Sequence, residues 1–192
     1  LGALDPFVRE RPWRYWTDSV AARALGLLEQ DASRTYSAIA IRVPELDRGL
    51  HTLFTRSETI RDEETLALGT AKSFLRLSTD FLPEYLRWAE HIFGNLLSLY
   101  WSVARSGGVE AKFRLRNAVE WMEREGYEPL TDGYDDAVRN AVAHGEVRFT
   151  GADVQFGAGR PKRLSANETL CLLDRLVRSS NSLALGLMLF WL

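Results

Sequence analysis

The stretch Asp135-Asp136-Ala137-Val138-Arg139-Asn140-Ala141-Val142-Ala143-His144-Gly145-Glu146 decides how the chain is read. Taken as a helix, it brings Tyr134, Val138, Ala141 and Val142 onto one apolar stripe. At about 100° per residue, Arg139, Asn140 and His144 fall on the opposite arc, around the small side chain of Ala143. One face anchors the helix, and the other presents a guanidinium, an amide and an imidazole. Gly145 stands where a C-capping glycine belongs. Thr131 or Asp132 can cap the start, and Asp135 and Asp136 suit the first turn. A purely structural account also fits these residues. A histidine near a helix C-terminus is favoured by the dipole, and glycine after it is ordinary punctuation.

Working outward, the chain reads as helices on both sides of this stretch. Upstream, Tyr85, Leu86, Ala89, Ile92, Phe93, Leu96, Leu97, Tyr100 and Val103 recur at helical intervals. A break is expected over Thr79 to Pro83, with Asp80 as cap and Pro83 in the first turn, and Gly107-Gly108 ends the helix. His91 lies near the apolar stripe and reads as a core or edge histidine. Val109 to Gly126 is a further helix with Phe113, Ala118, Trp121 and Met122 inward. Downstream of Gly145 the period becomes two. Val147 and Phe149, then Val154 and Phe156, flank a turn at Thr150-Gly151-Ala152-Asp153 and predict a small β-hairpin. Arg160-Pro161-Lys162-Arg163 reads as a basic loop. Ser165-Ala166-Asn167-Glu168 is a capping box that opens a helix running to the end of the sequence.

The first part of the chain is read more coarsely. Residues 1–16 hold Pro6, Pro12, Trp13, Tyr15 and Trp16, an arm expected to pack on the body. The alternative is base stacking on Trp13 and Trp16 beside Arg11 and Arg14. Thr17 or Asp18 caps a helix carrying Val20, Ala21, Ala24, Leu25 and Leu28. The pattern blurs at Gln30 to Thr35 and resumes at Ile39, giving one long helix or two short ones stopped by Pro44. Leu46 to Phe54 and Leu66 to Ser78 carry further helical patterns.

Arg139-Asn140-Ala141-Val142-Ala143-His144 resembles the Arg-polar-x-x-x-His signature of HEPN domains, helical bundles found in many RNA-cutting toxins and defence proteins. The helix order over residues 81–192 is similar as well. The resemblance implies an all-α antiparallel bundle over 81–192, with a short β-hairpin or loop after the motif helix. Residues 1–80 form an N-terminal helical extension, either part of the same bundle or a separate lid.

RNA cleavage needs a 2′-hydroxyl to lose a proton, the phosphate to be held as charge builds, and the leaving 5′-oxygen to gain a proton. His144 can give or take a proton near neutral pH. Arg139 has a fixed cationic fork suited to phosphate oxygens. Asn140 lies one turn before His144 and can orient the imidazole or the phosphate. The scheme calls for no metal and no cofactor. One His144 per chain leaves a proton-transfer group missing. HEPN domains are commonly dimers whose motifs face each other, so the resemblance implies a homodimer with a composite cleft. Arg148, Arg160, Lys162 and Arg163 follow the motif and are expected to steer RNA backbone, or else to be an exposed basic loop. Toxins paired with minimal nucleotidyltransferase antitoxins carry Tyr two residues after the His. Glu146 stands there instead, so control by tyrosine modification is not expected, although an antitoxin or partner domain is. The competing expectations are a binding or oligomerisation module of the same fold, and a plain helical scaffold.

Bulk properties bound these readings. The chain has 192 residues, 46% hydrophobic and 26% charged, which suits a globular protein with a sizeable core. A net charge of -2 excludes a broadly basic nucleic-acid binder, so any RNA contact must be local. Cys171 is the single cysteine, which rules out an intramolecular disulfide and suits a reducing, cytoplasmic setting. The three His and one Cys lack zinc-ligand spacing. Asp135 and Asp136 would point about 100° apart on a helix, a poor carboxylate dyad. No phosphate-binding glycine loop or nucleophile elbow is present. The apolar tail Leu183 to Leu192 is about half the ~20 residues that span a bilayer, so no membrane partner is expected. No signal-peptide pattern is seen, and Leu1 in place of Met suggests a trimmed start or a piece of a longer chain.

Overall fold

The computed structural model describes residues 18–56, 75–105, 112–151 and 153–192. The aromatic arm, the helix expected before Leu75, and Gly107-Gly108 lie outside the described residues. Helix α1 is Asp18–Glu29 and α2 is Ala32–Arg56, so the blurred stretch resolves into two helices. The buried Thr35 hydroxyl ties them together by donating to the Leu28 carbonyl at 2.6 Å. Helix α3 is a continuous helical run over 75–104. It comprises a wide π-type turn Leu77–Phe81, a segment Leu82–Arg87, a second π-type segment Trp88–Phe93 and a segment Gly94–Ala104. Helix α4 is Leu115–Arg124, α5 is the motif helix Asp136–Ala143, and α6 is Ala166–Phe190. Between α5 and α6 lie strands β1 Val147–Thr150, β2 Asp153–Phe156 and β3 Lys162–Ser165.

Three expectations are corrected. Pro44 does not stop its helix, because α2 runs through it. Pro44 and Ala40 are both exposed, so the carbonyl that loses its N–H partner faces water. The break at Thr79 to Pro83 is absent. The Leu82 N–H instead bonds back to the Leu77 carbonyl, a wide turn that takes up the irregularity just before the proline. The basic loop is in part a strand, since Lys162 and Arg163 pair with β2. The molecule is therefore mostly helical with a three-stranded antiparallel sheet in the order β1-β2-β3, rather than all-α with a hairpin or loop.

One core joins the early and late helices. It runs from Ala24, Leu27 and Leu28 of α1 through Trp88, Phe93, Leu96, Leu97 and Tyr100 of α3 to Leu176, Leu183 and Leu187 of α6. Helix α1 lies along α6, and α2 lies along the later part of α3. Gly186 permits the α1–α6 approach, because a Cβ there would meet the Ala24 Cβ at 2.7 Å and the Leu25 nitrogen at 3.0 Å. Inside, Tyr100 donates to the Leu183 carbonyl at 2.5 Å, and burial pushes its hydroxyl well above the ordinary range for tyrosine. His91 is exposed, not part of the core.

The capping box forms as expected. Glu168 accepts from the Ser165 N–H at 2.7 Å, and the Ser165 hydroxyl accepts from the Glu168 N–H at 3.2 Å. The bond from the Ser165 N–H, with one from the Ser165 hydroxyl at 2.8 Å, holds the Glu168 carboxyl below the usual range.

Candidate functional site on the motif helix

Helix α5 is fixed at both ends. At its start the Asp135 carboxylate accepts from the Val138 N–H at 3.0 Å, so the cap is Asp135, not Thr131 or Asp132. The buried Tyr85 hydroxyl accepts from the Asp135 N–H at 2.8 Å and donates to the Gly133 carbonyl at 3.1 Å. Its burial raises the pKa of the hydroxyl strongly. Gly133, at φ 85°, lies flat on α6, where a Cβ would run into the backbone of Arg175 and Leu176. Ser179 reinforces this contact by donating to the Asp132 carbonyl at 2.9 Å. At the other end Gly145, at φ 69°, completes the cap. The Glu146 N–H reaches the Ala141 carbonyl at 2.8 Å and the Gly145 N–H reaches the Val142 carbonyl at 3.2 Å, satisfying two carbonyls of the last turn.

The expected amphipathic division is present. Val138 and Ala141 are buried, and Tyr134 and Val142 are half-buried. Tyr134 stacks on Phe93 of α3 with ring centroids 5.8 Å apart. On the other face Arg139 is held from two sides. One terminal nitrogen pairs with Glu90 at 2.5 Å, and the other donates to the Asn140 side-chain carbonyl at 2.6 Å. The Asn140 amide in turn donates to Asp136 at 2.9 Å. Asp136 also accepts from the Tyr134 hydroxyl at 3.1 Å and lies 3.6 Å from Arg116 of α4. Charges alternate along this chain: Glu90, Arg139, then Asp136 and Arg116, with Asn140 bridging. The Arg139 Nε is buried and has no hydrogen-bond partner among the described residues. Arg139 and Glu90 are each about one-third exposed, at 32% and 31%, so the pair is open to solvent along one edge.

His144 occupies the C-cap position, one turn beyond Asn140, and is exposed. Its backbone N–H bonds to the Asn140 carbonyl at 3.0 Å. Its imidazole makes no hydrogen bond or ion pair among the described residues. The structure thus joins the Arg139 and Asn140 side chains directly and brings neither into contact with the His144 ring among the described residues.

The four basic residues after the motif separate into two groups. Lys162 lies on the inner face of the sheet and forms an ion pair with Asp135, which fastens β3 to the start of α5. Arg148 and Arg163 lie on the outer face, and Arg160 is exposed in the turn between β2 and β3. Beneath the N-terminus of α5 is a polar cleft of about 340 Å³, lined among others by Glu123, Asp132, Glu168, Lys162 and Arg175. Among the described residues, no group of three or more His, Cys, Asp or Glu is arranged to hold a metal ion, and no helix is long and apolar enough to cross a membrane.

Sequence reading missed Glu90, which is distant in the chain from Arg139 and carries no local signal. It also missed the second task of Asp136. The Asp136–Asn140 spacing of one turn was a usable signal for that contact. Comparison of the chain with protein-family models, curated proteins and solved structures finds no match.

Proposed function

We propose that this protein is a metal-independent endoribonuclease of the HEPN type, with Arg139, Asn140 and His144 as its catalytic residues. The observation that carries the reading is a held guanidinium with an exposed histidine at the C-cap of the same helix. Arg139 is fixed by Glu90 and Asn140 with its edge open to solvent, and His144 follows Asn140 by one turn with no side-chain partner among the described residues. In this scheme the 2′-hydroxyl oxygen attacks the adjacent phosphorus and loses its proton to one imidazole. The 5′-oxygen leaves with a proton from a second imidazole, and the products are a 2′,3′-cyclic phosphate and a free 5′-hydroxyl. Arg139 holds the phosphoryl oxygens as charge builds. Because one chain supplies one His144, the second imidazole comes from another copy, in a composite dimer site. A cytoplasmic role in a toxin–antitoxin pair or antiviral defence accords with this activity, and an antitoxin or partner domain is the expected control.

A second reading is favoured by one specific observation. Both terminal nitrogens of Arg139 already have partners within the chain. This suits a non-catalytic HEPN-like module that binds RNA or a nucleotide, or that oligomerises. Incubation of total RNA in EDTA with the parent and with His144→Ala separates the two. The nuclease reading expects cyclic-phosphate ends from the parent and at least about a hundredfold slower cutting by the variant, as for loss of a general acid–base group. Equal cutting by the two proteins would remove His144 from the mechanism.

A further inference from the structure

Most of the Lys and Arg side chains from Arg139 onward are neutralised within the chain. Arg139 pairs with Glu90, Lys162 with Asp135, Arg175 with Asp132 and Arg178 with Asp174. The exceptions are Arg148, Arg160 and Arg163. Their side chains form no ion pair or hydrogen bond among the described residues, and all three residues are exposed. Arg148 and Arg163 belong to the small sheet and Arg160 to the turn that joins β2 to β3.

The register aligns two of them. Arg148 of β1 is opposite Gln155 of β2, and Gln155 is opposite Arg163 of β3. Directly paired residues share a face. Val154 and Phe156 of β2 are buried, so the alternate residue Gln155, with Arg148 and Arg163 on either side, lies on the outer face. Two strand spacings place the two arginine backbones about 10 Å apart. The result is a crossing row of guanidinium, amide and guanidinium. Arg160 stands in the loop beside it. Glu146 precedes the row, and the Thr150–Asp153–Ser165 row follows it, so the positive band is bounded at both ends.

We infer that this outer row is a docking face for the phosphate backbone of single-stranded RNA, distinct from the Arg139 network. Charge complementarity selects the occupant. On a chain of net charge -2, the free cations of this half of the molecule are gathered on one small sheet, with a hydrogen-bonding amide between two of them. Arginine forks match phosphate oxygens two at a time, and backbone contacts of this kind are independent of sequence. The inference rests on the RNA reading above but not on cleavage, and Lys162 is excluded from the face.

The test uses a fluorescein-labelled 2′-O-methyl oligoribonucleotide, which has no free 2′-hydroxyl to attack. Anisotropy is followed across a salt series. Arg148→Ala/Arg163→Ala should weaken binding by at least about tenfold at 0.1 M salt. It should also flatten the log–log salt dependence by about 1.4, roughly 0.7 for each lost phosphate contact. Arg148→Lys/Arg163→Lys should recover most of the salt dependence, and Lys162→Ala should leave it unchanged. Unaltered binding and slope in the double alanine variant would overturn the assignment, and so would failure of the parent to bind the oligonucleotide or a preference for polyglutamate over RNA. If the parent binds the oligonucleotide and cuts no RNA, the nuclease reading falls while the docking face stands.

Discussion

At the scale of single residues, the site depends on how Arg139 is held. A long guanidinium side chain on an exposed helix face samples many rotamers, and ordering it costs up to about 2 kcal/mol. Glu90 and Asn140 restrict it by gripping different nitrogens. Glu90→Gln keeps the shape of the side chain and removes its charge. Because both partners are about a third exposed, the loss in folding stability should stay below about 1 kcal/mol. The proposed cleavage should lose about tenfold in kcat with KM nearly unchanged, since a misaimed group is felt most in the transition state. Urea titration alongside steady-state cleavage of a labelled oligonucleotide checks both parts. Equal loss in kcat and stability, or a change in KM alone, would leave Glu90 without a positioning role. The shared face of Arg139 and Asn140 was legible from spacing alone. The grip of Glu90 was not, because it follows from how α3 packs against α5, through Tyr85 and the Phe93–Tyr134 stack.

At the scale of elements, two glycines bound the same short helix but bear different loads. Gly133 meets backbone atoms of α6, which cannot move aside like a flexible side chain. Gly145 is exposed, and a Cβ there would have nothing within 4 Å, so only its left-handed backbone matters. Gly145→Ala should cost about 1 kcal/mol, the ordinary penalty for that conformation. Gly133→Ala adds a steric overlap and should cost about 3 kcal/mol or more. Equilibrium urea unfolding of the two variants measures the contrast, and similar midpoints would contradict the close approach to Leu176. Sequence reading handled the well-signposted elements best. Ser165 to Glu168 and Gly145 announced their caps in a few residues. Pro83 does stand in the first turn of the segment Leu82–Arg87, whereas Pro44 misleads, because whether proline ends a helix depends on which side faces water. Strand β3 was hidden for a related reason. Lys162-Arg163-Leu164-Ser165 is short and polar, as an edge strand protected from further pairing tends to be, so little periodicity shows.

At the scale of the whole molecule, Tyr85, Tyr100 and Tyr134 set a limit in alkali. Burial raises all three hydroxyls above the ordinary value of 10.0. A group whose pKa is higher in the folded state supports folding fully below its unfolded value and loses that support as pH rises beyond it. Stability should therefore hold up to about pH 10 and decline above it. In an ultraviolet titration the three should ionise only together with loss of helical signal. Smooth ionisation of every tyrosine in a protein that stays helical would contradict the buried arrangement. The resulting core was visible only in outline from the sequence. Apolar intervals gave the stripe of α3, but nothing local indicated that α1 would lie along α6. That long-range pairing has a consequence in time. Gly186 and Ala24 come together only after every residue between them has emerged from the ribosome. Until then α1 lacks its main packing partner, and the side meant for α6 is open to chaperones and to other nascent chains. A helix made early is closed over late, so synthesis that stalls before α6 leaves it exposed rather than yielding a smaller folded protein.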